Sequence, residues 1–166
     1  MGRKGRLLGG LGLVLAGALG ACDYVAQKEL QPGVSTTDDV RRLMGKPEMI
    51  WEEEDGTQVL EYVRGPAGRE TYMVEIDAQG RFRSMKNVLV RETFGKVGPG
   101  MARDDVRRLL GKPTETARFP LGQEEVWSWR FAGDHAGADM FNVHFGLDGR
   151  VRTTSVTPAR DSSNPP

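Results

Sequence analysis

Few side chains of this 166-residue chain invite a chemical reading. They are its single cysteine, Cys22, two histidines, His135 and His144, and two aspartate pairs, Asp38/Asp39 and Asp104/Asp105. A lone thiol has no intrachain disulfide partner and builds no multi-cysteine metal site. Asp134, His135 and Asp139 place possible metal ligands in a Gly/Ala loop, but without a recognised ligand spacing. His144 alternates with Val143 and Phe145, so a strand there points it away from the core. Ser155, beside Thr153 and Thr154, offers a hydroxyl nucleophile with no evident base. Each aspartate pair stands just before an apolar helical stripe, where the positive end of a helix dipole accounts for it. Residues 95–100 are rich in glycine and lead into a helix, yet they lack the Lys-Ser/Thr ending of a phosphate loop. The expectation is a chain with no catalytic residue, no metal and no cofactor.

Cys22 is informative through its position. Arg3, Lys4 and Arg6 precede an apolar run over 7–19, and small residues lead into the cysteine. That is the layout of an export signal. The 13-residue run is shorter than the roughly 20 residues a membrane-spanning helix needs. Residues 19–22, Leu-Gly-Ala-Cys, resemble the lipobox of bacterial lipoproteins. The resemblance implies cleavage before Cys22, diacylation of that residue with palmitate-type chains, and tethering of the mature chain to a membrane. The leader takes three of the 23 basic side chains and none of the 23 acidic ones, leaving 20 against 23 and a net charge of −3. Such a balance argues against nucleic acid as a partner, and no polybasic tract suggests a headgroup-binding surface.

An internal repeat dominates the rest. Residues 38–47, Asp-Asp-Val-Arg-Arg-Leu-Met-Gly-Lys-Pro, recur at 104–113 with one substitution, Met44 against Leu110. Downstream, 59–62 aligns with 126–129, 72–76 with 141–145, and 80–83 with 149–152. The offset drifts from 66 to 69, so loops differ in length while element order is kept.

The elements of each copy follow from period. Val40, Leu43 and Met44 make one apolar helical stripe. Thr36 is placed to cap that helix with Asp39 three residues on, whereas the second copy has Ala102 at the cap. Gly45 and then Lys46-Pro47 form a stop, with the glycine in the left-handed conformation. Beyond the proline the period becomes two. Leu60/Tyr62, Tyr72/Val74/Ile76 and Phe82 alternate with polar neighbours, as do Trp127/Trp129/Phe131, Phe141/Val143/Phe145 and Val151. Turn signals such as Asp55-Gly56 and Asp148-Gly149 separate the runs. The fold expected is α+β: two tandem units, each with one or two short helices packed on a three- to four-stranded antiparallel sheet. A unit of about 60 residues has a marginal core by itself, so the two should pack together or share a sheet. Trp127, Trp129 and Phe131 share a face and read as core. Trp51, before three glutamates near a hairpin tip, and Phe119 with Leu121 at the equivalent tip, either anchor a partner or pack on their own sheet.

Gly100-Met101, Asp105-Val106 and residues 109–113, followed by Trp127 and Trp129 and by Asp148-Gly149-Arg150-Val151, resemble the SmpA/OmlA (BamE-like) family of outer-membrane assembly lipoproteins. Unit two matches over nearly its full length and unit one more loosely. The tandem arrangement is similar to that of β-lactamase inhibitory proteins. What the resemblance implies is a non-enzymatic, lipid-anchored scaffold on the periplasmic face of the cell envelope. It would bind an envelope protein such as the β-barrel assembly complex, in barrel assembly or envelope integrity, or alternatively inhibit or regulate a periplasmic enzyme. The outer membrane is favoured; Asp23 after Cys22 is similar to an inner-membrane retention signal. The corresponding division is a leader over 1–21, a lipidated N-terminus and spacer over 22–32 (with a first short helix as the alternative), unit one over 33–90, a linker over 91–99, unit two over 100–158 and a tail over 159–166.

Overall fold

The computed structural model describes residues 21–133 and 137–159. The leader through residue 20, the loop residues Asp134 and His135, and the tail beyond residue 159 lie outside the described residues, as does the Cys22 side chain. Two helices precede each of two sheets. Helix α1 spans Ala21–Glu29 and α2 spans Thr37–Met44. Strands β1 Met49–Glu52, β2 Gln58–Arg64, β3 Glu70–Ile76 and β4 Phe82–Asn87 follow, paired in that order into an antiparallel sheet. The second unit has α3 Arg91–Phe94, α4 Arg103–Leu110, and strands β5 Glu115–Phe119, β6 Glu124–Ala132, β7 Ala138–Gly146 and β8 Val151–Pro158, also a four-stranded antiparallel meander. The chain is therefore α+β with two tandem units. Among the described residues no helix is long and apolar enough to cross a membrane.

The duplication extends to individual hydrogen bonds. The strand-like segment before α2 bonds to the start of β4, Gly33 N–H to Phe82 O and Phe82 N–H to Ser35 O, both at 2.8 Å. Before α4 the same lattice appears, Gly100 N–H to Val151 O at 2.8 Å and Val151 N–H to Met101 O at 2.9 Å. Both sheets carry a register shift at the same place, after Glu75 in β3 and after His144 in β7.

Two boundaries differ from the sequence-based division. Residues 22–32 are no spacer: Ala26 and Leu30 are buried in the core of unit one with Val40, Met44, Leu60, Tyr62 and Val74. Residues 91–99 are no linker. Phe94 lies stacked on Phe141, ring centroids 4.2 Å apart, and edge-on to Phe131 at 4.8 Å, while Val97 joins the same core. A four-residue helix shows too few positions for a period to emerge, and its glycine-rich surroundings look like a connection.

The helix ends show where the copies diverge. In α2 the Asp39 N–H donates to Thr36 Oγ1 at 3.2 Å and the Thr36 N–H donates to Asp39 Oδ2 at 3.0 Å, a reciprocal cap. The Thr36 N–H, and the Thr36 hydroxyl donating to the same oxygen at 2.9 Å, hold the Asp39 carboxyl below its ordinary range. In α4 half of this remains, the Ala102 N–H reaching Asp105 Oδ2 at 3.4 Å. Ala102→Thr should restore the other half and stabilise the protein by about 1 kcal/mol. Thermal denaturation should show a midpoint higher by about 3 °C, and an unchanged midpoint would mean the N-terminus of α4 is already satisfied.

The stop glycines correct a detail. Gly45 has φ +73° and ψ −154°, and Gly111 has φ +78° and ψ −167°. This is the extended positive-φ region that only glycine enters cheaply, not the left-handed helical one. It turns the chain abruptly out of the helix and into the first strand. The central aromatic of each sheet then donates to the glycine carbonyl: Tyr62 OH to Gly45 O at 3.3 Å, and Trp129 Nε1 to Gly111 O at 3.0 Å. Burial pushes the Tyr62 phenol up, so it stays protonated as a donor.

Candidate protein-binding surfaces

One face of each sheet packs on its own helices, and the two opposite faces meet different fates. In unit one the outward residues include Trp51 on β1, Val59 and Glu61 on β2, and Thr71 and Met73 on β3. Period two predicts that such a row faces solvent. Instead the C-terminal end of α4 sits on it. Glu61 is fully buried and accepts from Arg107 Nη1 at 2.5 Å and from the Lys112 backbone N–H at 2.7 Å. Around this centre lie two exposed ion pairs, Arg108–Glu53 at 2.7 Å and Lys112–Glu48 at 2.5 Å. The Lys112 ammonium, hydrogen-bonded to Glu48, lowers that carboxyl from its ordinary range. The molecule is thus layered helices, sheet one, helices, sheet two.

Trp51 belongs to this joint. The Arg108 guanidinium lies 4.9 Å from the ring centroid and that of Arg107 lies 5.5 Å away, two cation–π contacts within the chain. It is half-buried, so the reading of Trp51 as a free partner anchor is corrected: its partner is unit two. Phe119 and Leu121 remain open at the β5–β6 tip, 49% and 104% exposed, and Leu147 of the adjacent β7–β8 turn is 73% exposed. These three make an apolar end to sheet two. Sequence reading finds the first two and misses Leu147, because a single leucine beside Asp148-Gly149 carries no periodic signal. Trp129 and Phe131 are core, and Trp127 is partly buried against it.

Among the described residues, the outer face of sheet two is uncovered and polar. Ser128 Oγ donates to Asn142 Oδ1 at 2.7 Å, and Asn142 Nδ2 donates to Thr157 Oγ1 at 3.1 Å. His144 points outward, as its alternation predicts. It also supplies the base that Ser155 lacks in sequence: Nε2 lies 3.2 Å from Ser155 Oγ, and Nδ1 lies 3.3 Å from Glu124 Oε2. The order serine, imidazole, carboxylate is that of a nucleophilic triad. What surrounds it is not. A hollow on this face is walled by Ser128, Arg130, Asn142 and Thr157 rather than by Ser155. Asn142 Nδ2, 3.5 Å from Ser155 Oγ, is shared with Met140 O and Thr157 Oγ1. Acyl transfer also requires donors aimed at the position of an oxyanion. The three side chains lie in a row across β6, β7 and β8, a cross-strand ladder. Among the described residues no group of three or more His, Cys, Asp and Glu side chains could hold a metal ion.

A groove of about 740 Å³ opens beside the stop of α2, lined by Arg41, residues 45–48, Met49 and Ile50. Its walls are mainly apolar, and Met49 and Ile50 are 41% and 38% exposed.

No family model matches the chain, and no curated protein matches it. Two solved structures are similar to it. One is the DUF4309 family protein YjgB from Bacillus subtilis, 15% identical, with 80% of this chain and 84% of that one covered at a TM-score of 0.31. The other is a candidate beta-lactamase inhibitor protein from Streptococcus mutans, 10% identical, with 82% and 96% covered at a TM-score of 0.33. A likeness at this level concerns overall architecture alone.

Proposed function

We propose that the chain is a lipid-anchored, non-catalytic scaffold of the bacterial cell envelope, a tandem relative of the SmpA/OmlA lipoproteins that binds an envelope protein, with β-barrel assembly in the outer membrane as its setting. The observation that supports this reading best is the junction at Cys22. The residues directly after it form α1, and α1 places Ala26 and Leu30 in the core of unit one. A lipid on Cys22 then joins a folded body rather than a flexible leash. Such an anchor confines the protein to a surface and also orients it, which raises the effective concentration of a chosen face toward a membrane-bound partner. The candidate faces are the apolar end of sheet two, with Phe119, Leu121 and Leu147, and the groove beside α2.

A mild-detergent pull-down of the full-length chain from fractionated membranes, with Cys22→Ser as control, tests the proposal. The expected result is one membrane-bound partner complex at near-equal ratio, lost in the control because the tether is gone. Capture of a periplasmic enzyme by both forms, with loss of its activity, would replace the scaffold with an inhibitor. A Cys22→Ser chain that stays in the membrane fraction would overturn the anchor itself.

A further inference from the structure

The repeat offers an internal standard: the same helix stop occurs twice, once covered and once bare among the described residues. At Gly111 a Cβ would meet Thr71 Cγ2 at 2.7 Å and Glu61 Oε1 at 3.0 Å, because the outer face of sheet one rests on it. At Gly45, with the same backbone conformation, a Cβ would meet nothing within 4 Å. The Lys112 N–H has the Glu61 carboxylate, and Arg107 clamps the same group. Lys46 and Arg41 stand at the equivalent positions, and among the described residues neither the Lys46 N–H nor the Arg41 guanidinium has a protein acceptor. Both line the open groove.

We infer that the Arg41, Gly45 and Lys46 corner of this groove is a second carboxylate seat, vacant among the described residues, and that its occupant is a strand of a partner protein presenting a Glu or Asp side chain between apolar neighbours. The inference rests on the protein-binding reading and names its surface. Charge complementarity comes from the covered copy, where an Arg, a backbone N–H and a strand carboxylate meet with their donors satisfied. A second observation points to an outside occupant. Met49 and Ile50, which flank the seat, stand where unit two has Glu115 and Thr116. The bare copy has thus gained the apolar rim that an interface away from the chain would use. A second copy of the chain does not present the same carboxylate. Glu61 is already buried, and the matching face of sheet two has Ser128 at its position and Arg130 beside it.

The full chain, labelled with nitrogen-15, should be titrated with a blocked peptide copying its own residues 58–64, which carries Glu61 among its natural neighbours. Saturable amide shifts centred on Gly45 and Lys46 are expected at about millimolar peptide, the strength of one anchored ion pair. They should weaken about tenfold with the Glu61→Gln peptide and with the Arg41→Gln protein. Arg42→Gln, whose parent side chain already pairs with Asp39 at 3.2 Å, should leave them unchanged. Both protein variants change exposed side chains, and melting like the parent confirms that they fold. Equal shifts from the Gln peptide, equal shifts from acetate at the same concentration, or shifts mapping to sheet two would each overturn the seat. A stoichiometric partner in the pull-down that survives Arg41→Gln would also remove this site and leave the scaffold standing. Peptide binding at Gly45 with no partner from the membrane would keep the site and sink the assembly role.

Discussion

Arg107→Leu should destabilise the protein by about 3–5 kcal/mol, the cost of leaving a buried charge without its partner. Glu61 has no exposed surface, and the Arg107 side chain is 16% exposed. Once the guanidinium is gone, the carboxylate keeps only the Lys112 N–H and no solvent. The surrounding pairs cannot compensate. Arg108–Glu53 and Lys112–Glu48 are each more than 40% exposed on both sides, and such pairs contribute about 0–1 kcal/mol. The loss should also change cooperativity, since this joint makes two small cores melt as one. Urea denaturation followed by far-UV circular dichroism and by tryptophan fluorescence should give coincident curves for the parent and separated ones for Arg107→Leu. The double variant Glu61→Leu with Arg107→Leu should recover most of the stability, because a packed apolar pair avoids the desolvation cost altogether. If the single variant lost less than about 1 kcal/mol, the pair would behave as a surface pair and the two units would not be welded there.

Gly111→Ala and Gly45→Ala should differ sharply although they alter the same motif. Both force a side chain into a backbone region reserved for glycine, at about 1–3 kcal/mol. Gly45→Ala should lose only that much, because its Cβ enters open space. Gly111→Ala meets Thr71 and Glu61 at 2.7 and 3.0 Å, and overpacking of this kind costs about a further 1–3 kcal/mol. It also pushes on the buried carboxylate, so relief by movement would break the bond to Lys112. Thermal melts should place Gly111→Ala below Gly45→Ala by about 3–9 °C. Equal midpoints would mean that α4 does not press on sheet one.

Much of each unit is legible before any fold is known. The α2 cap follows from Thr36 and Asp39, and the helix stop from Gly45, Lys46 and Pro47. The inward rows follow from alternation, since Leu60, Tyr62, Trp129 and Phe131 are all buried. Local chemistry decides these features, and it involves residues within one turn or one strand. Elements without a clear apolar period escaped, α3 because it has four residues and α1 because its nine are only weakly amphipathic. The helix α3 reads as a linker although Phe94 and Val97 lie in the core, and α1 reads as a spacer although Ala26 and Leu30 do.

The candidate surfaces were harder to read. Phe119 and Leu121 stand out as apolar residues at a turn, whereas Trp51 gives the same signal and lies under two arginines. The Ser155, His144 and Glu124 row joins residues 11 and 20 positions apart, a relation fixed by strand register alone.

Residue order establishes that the chain is a duplication, where each copy starts and stops its helix, and which residues of every strand share a face. What covers each face emerges when the two units pack. Period two tells Glu61 to point away from its own helices, and a helical stripe tells Arg107 to point away from its own core. Neither pattern states that these two leftovers meet across 46 residues of chain. Burial of an ion pair is a property of two surfaces brought together, and the pattern along one strand or one helix carries information about its own surface only. The same physics leaves Arg41 and Lys46 bare among the described residues: a nearly identical local sequence, differing only at Met44 against Leu110, with no described sheet laid over it.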